Sequence, residues 1–356
     1  MSTAAAHGRP IGNAAGAAVL LALVAATAPS AAAAPHPPRV DRISTAADGS
    51  QADGASGAAA ITADGRFAAF HSAATDLVPE PGHGADSQAY VRDLRTGAVS
   101  RVPTALGVPS LSTDGRWAAF IGWGPHDIDV FLTDRTTGTR TRIDGAALGD
   151  SAYDPSISAD GRYVAYEYVR DHPQFPTRID VYDRVSGTRA TVSAGPADSS
   201  RDMTDPSISG DGSRIAYQDE GTGEVWVADR ATGTQSRADD GTRSTVVQLS
   251  ADGRVLAMNA ADGGYVRDLR SGHVRHFPGM TALAISPDGR RLLCRDAGSH
   301  LWRRDVRGSH ALAVGHGDAG AGAVASRGTV VYSTDDTDVV PGDTNGVSDV
   351  FRWRAH

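Results

Sequence analysis

Ala159-Asp160-Gly161-Arg162-Tyr163-Val164-Ala165-Tyr166 joins an Asp-Gly turn to a short apolar run that ends in an aromatic ring. Asp-Gly between apolar segments signals a hairpin, because Gly accepts the positive φ that a tight turn demands. The stretch recurs at 63–70, 113–120, 210–217, 251–258 and 287–294, and a degenerate copy at 326–332 lacks the Asp. A second motif is interleaved with it: an apolar strand, then Asp, then a Thr-Gly or Ser-Gly turn. Its copies open on Asp93, Asp134, Asp183, Asp229, Asp268 and Asp305, the last with a decayed turn. Each unit therefore reads strand, Asp-Gly hairpin, strand, variable loop, strand, Thr-Gly hairpin, strand. Four antiparallel strands in about 36 to 51 residues are one propeller blade.

Seven copies predict an all-β fold, a seven-bladed β-propeller spanning 35–356. The last unit stops after its third strand, at Asp349-Val350-Phe351-Arg352-Trp353. Arg39-Val40-Asp41-Arg42-Ile43-Ser44 resembles an outermost strand, so the N-terminal strand is expected to close the last blade. Closure would pair edges that otherwise template aggregation. The slot that ends the second strand holds Phe70, Phe120, Tyr166, Tyr217, Met258, Cys294 and Tyr332, which assigns Cys294 to the core as a small hydrophobe.

The Asp-Gly-Arg and Asp-x-x-Thr-Gly repeats resemble the TolB-like group of WD40-like propeller repeats, with Ser286-Pro287-Asp288-Gly289-Arg290 the nearest copy of that family's inner hairpin. The resemblance covers essentially all of 35–356 and implies fold rather than activity. The Trp-Asp dipeptide of true WD repeats is missing; Trp226 stands three residues before Asp229.

Composition agrees. All 34 basic residues are Arg, and only four of 42 acidic residues are Glu. A chain poor in Glu and Lys but rich in Asp and Gly is a poor helix former. The net charge of −8 argues against a basic footprint for nucleic acid or an anionic membrane. Residues 1–34 read as a secretory signal peptide. Arg9 precedes an apolar stretch at 14–28, and small residues at 30–34 offer the cleavage site. The apolar stretch is shorter than the ~20 residues of a membrane span. The expected product is a secreted monomer with no membrane anchor.

Catalytic motifs are missing. Neither the G-x-S-x-G elbow nor H-E-x-x-H occurs. His273 and His276 flank a predicted outer strand, whose alternation turns them to opposite faces. The Asp residues that repeat in every unit read as turn formers, since catalytic groups do not recur around a ring. The reading is a non-catalytic binding or scaffold module for a protein or carbohydrate ligand. The alternative is a propeller enzyme related to polysaccharide lyases or hydrolases, with its site in the central funnel. His71, His126, His172 and His316 are the histidines available to it. Function sits in loops on rigid scaffolds, and the variable loops offer Trp123, His126, Tyr168, His172 and Phe175 as ligand-binding candidates. No cofactor is implied beyond calcium. For that ion, Asp343-Thr344-Asn345-Gly346-Val347-Ser348-Asp349 places Asp343, Asn345 and Asp349 at positions 1, 3 and 7 of a short loop. N-terminal sequencing of the exported chain is expected to start at Ala34 or Pro35; a start at Met1 or Ser2 would contradict the signal peptide.

Overall fold

The computed structural model describes residues 37–79, 88–124, 127–145, 147, 149–170, 176–193 and 201–355. All described secondary structure is β. Six four-stranded antiparallel sheets follow one another in chain order, with inner strands Ser56–Ile61, Ser110–Leu111, Ser151–Ile157, Met203–Ile208, Ser244–Leu249 and Thr281–Ile285. These are blades 1 to 6. The seventh sheet orders Val330–Thr334, Asp349–Arg354 and Arg39–Arg42, the last two in antiparallel register with Val40 opposite Trp353. Isolated bridges Val324–Val330 and Asp318–Ser333 mark its inner edge. The ring is thus a seven-bladed propeller closed by its N-terminal strand. No helix among the described residues is long and apolar enough to cross a membrane.

The hairpin chemistry explains the repeat. In blades 1 to 6 the residue two before the Asp is Thr62, Ser112, Ser158, Ser209, Ser250 or Ser286. Its hydroxyl donates to the following Asp64, Asp114, Asp160, Asp211, Asp252 or Asp288 at 2.6–2.7 Å. The same hydroxyl accepts the N–H that opens the second strand, at 2.9–3.0 Å. These hydroxyls are buried, so satisfying both their donor and acceptor roles removes a desolvation cost. The Gly, at φ 70° for Gly161, completes the turn.

The two motifs are tied to each other. Arg66, Arg116 and Arg162 reach from the first hairpin to Asp93, Asp134 and Asp183 of the second at 2.7–2.8 Å. The guanidinium hydrogen bonds hold Asp93 and Asp183 down at about 2 and depress Asp134 further. Each arginine is about half exposed, so the pairs shape the hairpins more than they stabilise them. Any contribution is present above the ordinary Asp range and is lost as pH falls toward 2.

The core lies between blades. All seven residues of the second-strand slot, Cys294 included, are at most 1% exposed. Burial pushes the Cys294 thiol up to about 12, so folded protein is expected to resist a thiol reagent that labels unfolded protein within minutes.

Closure adds a charged latch. Arg42 Nη2 lies 2.9 Å from Asp343, and its Nε lies 3.0 Å from Asp349. Ser44 Oγ and Gln51 Nε2 donate to Asp349 at 2.7 and 3.0 Å, and Gln51 also reaches Asp343 at 2.8 Å. All three charged side chains are at least nine-tenths buried. Removing the cation strands two buried carboxylates, so Arg42→Ala is expected to lower unfolding free energy by about 3–5 kcal/mol. Chemical denaturation measures this, with Arg39→Ala, on an exposed residue, expected to fall within about 0.5 kcal/mol of the parent.

Candidate functional site

Inner strands converge on a central channel of about 630 Å³. Most of its described lining is small or apolar: Ala58 to Ile61, Pro109, Pro155, Pro206, Val247 and Gly320 to Gly322 among others. No His or Arg is among these described lining residues. The channel wall is laced blade to blade. Ser110, Ser156 and Ser207 accept the N–H groups of Ile157, Ile208 and Leu249 in the following blade at 2.9–3.2 Å. Gln248 Oε1 accepts from Ile285 of blade 6 and Gly322 of blade 7, both at 3.1 Å.

The acidic feature of this channel lies on blades 3 and 4. Each inner strand carries a β-bulge, between Tyr153 and Ser156 in one and between Thr204 and Ser207 in the other. The bulge residues Asp154 and Asp205 have φ of 48° and 55°. Ala58 holds the same place in blade 1 at φ 39°, so the left-handed backbone belongs to the bulge. Aspartates tolerate it well, and in blades 3 and 4 they bring carboxyls to the channel. Glu167, from the adjacent second strand Tyr163–Val169, completes the group. Oxygens of Asp154, Glu167 and Asp205 lie within 4.8 Å of one another.

Glu167 is 7% exposed and accepts the Asp205 N–H at 2.6 Å. Burial pushes its carboxyl up to about 8; the neighbouring Asp charges add to the rise, and the Asp205 N–H opposes it. Burial also raises Asp154 and Asp205, although both open onto channel water. Burial and the neighbouring carboxyls thus favour the protonated form of Glu167, which relieves the repulsion among the three. They are the donor set that a divalent cation would use, and such a cation would displace that proton.

The loop candidates are placed as follows. Trp123 ends the second strand of blade 2 and is 67% exposed. It closes that strand at the connection to the third strand, as Val169 does in blade 3. His126, His172 and Phe175 lie outside the described residues. Tyr168 corrects the loop reading. It sits inside a strand, 7% exposed, its hydroxyl donating to Asp150 at 2.6 Å and Arg178 stacked on its ring at 4.0 Å. Alternation turns Tyr168 into the blade interface and Glu167 the other way.

The calcium candidates are placed as well. The carboxylates of Asp343 and Asp349 face the Arg42 guanidinium, which supplies the positive charge expected of an ion. Asn345 donates to Ala52 O at 3.0 Å, and its amide oxygen accepts the Val347 N–H. Among the described residues, His71, His276 and His316 do not form one cluster, and His316 meets His300 edge-on at 5.8 Å. His71 lies in the second strand of blade 1, where burial lowers its pKa. His276 stacks on Tyr265 at 5.3 Å, while His316 pairs with Asp336 at 3.2 Å.

No family profile matches the chain, and no curated protein sequence matches it. Solved structures share the ring. An oligogalacturonate lyase in complex with manganese superposes with a TM-score of 0.64 at 12% identity, covering 89% of this chain and 93% of that one. The β-propeller domain of Cps50 (Swd1) from Myceliophteria thermophila gives 0.55 at 16%, covering 84% and 96%. TolB from Acinetobacter baumannii gives 0.46 at 17%, covering 86% and 81%. The likeness to the lyase and to the Cps50 domain is one of fold, the WD40-like propeller that the repeats predict.

Glu167 makes stability depend on pH. Its folded pKa is raised above the unfolded value near 4.5. The associated stability is full below that value and is lost as pH rises through about 8. Glu167→Gln keeps the acceptor without the ionisation. The variant is expected to melt near the parent temperature at pH 5 and several degrees above it at pH 9.

Proposed function

We propose that this chain is an exported, non-catalytic binding propeller. Its ligand is a neutral carbohydrate taken on the loop face above the carboxyls of Asp154, Glu167 and Asp205. The observation that carries the reading is the chemistry of that face. An exposed indole, Trp123, offers a flat apolar surface, and the carboxyl group beside the channel offers donors and acceptors to hydroxyls. Sugars present an apolar C–H face and a hydroxyl rim, and few, fixed polar groups give such sites their orientation. The described channel lining contributes no histidine or arginine to act on a substrate.

The lyase reading rests on the similarity of shape to oligogalacturonate lyase. A polyuronate is a polyanion, and like charges facing each other in a site weaken binding. The carboxyl group at this channel therefore disfavours that substrate. The test is a glycan array probed with residues 35–356 and with Trp123→Ala, beside an assay for unsaturated uronate. The expected result is capture of neutral glycans, weakened about tenfold or more by Trp123→Ala, a loss of about 1.4 kcal/mol. Release of unsaturated product, or capture of protein ligands alone, would contradict the proposal.

A further inference from the structure

A second site follows from comparing the seven blade junctions on the hairpin face. In the first three junctions the residue opening the second strand is an aromatic ring wedged beneath the Gly of the next hairpin. A β-carbon on Gly115, Gly161 or Gly212 would lie 2.2–2.4 Å from Phe67, Trp117 or Tyr163. Each ring is flanked by two guanidiniums. Arg66 and Arg135 stand 4.6 and 5.5 Å from Phe67, Arg116 and Arg184 5.1 and 4.0 Å from Trp117, and Arg162 and Arg230 4.7 and 4.0 Å from Tyr163. The slot is therefore built for a planar ring between cations.

Elsewhere the ring is replaced. Arg214 and Arg291 fill their slots and donate to Gly253 O and Ser326 O at 2.9 and 3.2 Å. Val330 is fully buried, in a cluster that Leu94 packs against. Between blades 5 and 6 the slot residue is Val255, and Val306 stands where Arg135, Arg184 and Arg230 stand in their blades. Val255 still meets the next hairpin, its Cγ2 2.7 Å from where a Gly289 β-carbon would lie, but it is smaller than a ring, and a cavity of about 550 Å³ opens beside it. Its floor is Val255, Val266 and Val306, all buried. Its rim is Arg254, Arg270, Arg275, Arg307 and His273, with Asp268 the one carboxylate and Ser271 beside it.

This rim is specific to the junction. Arg275 sits opposite Val266, a register held by Ser100, Thr141, Ala190 and Ser236 in blades 1 to 4. It spans the junction, donating to the carbonyls of Asp305 and Val306 at 3.2 and 2.7 Å. Arg307 pairs with Asp268 at 3.1 Å while staying largely exposed. Four arginines around one carboxylate form a positive site on a chain of net charge −8.

We propose that this cavity binds a small aromatic acid. Its ring lies on the valine floor, in the space left beside Val255 where a larger ring fills the slot in the first three junctions. Its carboxylate or sulfonate meets the arginine rim through charge-assisted hydrogen bonds. The probe is 2-naphthoate, titrated calorimetrically into residues 35–356, with the neutral 2-naphthalenemethanol as control. The expected result is one site with Kd on the order of 1 mM or tighter, as ligands of this size give. Binding should be at least tenfold weaker for the alcohol and for Arg307→Ala. Val255→Phe copies the first junction, so it should abolish binding with no fall in melting temperature. If that variant fails to fold, Arg275→Ser carries the test, because Ser occupies this register in two other blades; it should weaken binding about tenfold. Absence of binding up to about 5 mM, equal binding of the alcohol, or full binding in both Val255→Phe and Arg275→Ser would overturn the proposal.

Discussion

Four paired residues turn a row of sheets into a ring. Arg39–Arg42 lies antiparallel to the strand Asp349–Arg354, more than 300 residues away in the chain. Without it, the seventh sheet would expose a strand edge and lose the face it packs on its neighbours. Each blade of a propeller is too small to stand alone and depends on both flanking blades for its core. The cost of opening one junction is therefore spread around the ring. Arg42 strengthens the closure by tying the N-terminal strand to Asp343 and Asp349 in a buried ion cluster, a contact that breaks only when the ring opens.

Within blades 1 to 6, a single turn chemistry recurs. The Ser or Thr hydroxyl, the Asp carboxylate and the Gly backbone form a hairpin that needs no help from the rest of the fold. In blades 1 to 3 the arginine after the Gly then joins this hairpin to the next one. This accounts for a composition rich in Asp, Gly and Arg, since most of those residues shape turns and leave the ligand-facing loops free to vary. It also explains how the blade 5 to 6 junction can lose its ring and stay folded: the hairpins are held by their own bonds, and the plug between them is dispensable.

The architecture was legible because it is written locally. Asp-Gly and Thr-Gly turns lie between apolar runs of strand length, and Arg39 to Ser44 looks like an outer strand. The buried place of Cys294 followed from the same alignment of repeats. The serine or threonine two residues before each Asp was legible as well, but was noticed only in Ser286-Pro287-Asp288. The candidate site was less visible. Asp154-Pro155-Ser156-Ile157 and Asp205-Pro206-Ser207-Ile208 are a repeated signal, 51 residues apart. Glu167 joins them only through strand pairing, which no local pattern announces. The Arg42 partner of the loop at 343–349 was hidden for the same reason: it comes from the other end of the chain. Tyr168 was read as a loop residue because its strand, Tyr163–Val169, runs past the six residues of the second strands of blades 1, 4 and 5.

Two surfaces with opposite chemistry result, an acidic channel mouth on the loop face and an arginine-rimmed cavity on the hairpin face. Both are rigid only while the ring is closed. Native-state hydrogen exchange on peptides covering 37–45 and 349–355 tests closure most directly. The account predicts that the amides of Val40 to Ile43 exchange only on global unfolding, with protection equal to that of the inner blades. Exchange of those amides at the rate of a frayed terminus, while blades 2 to 5 stay protected, would contradict it.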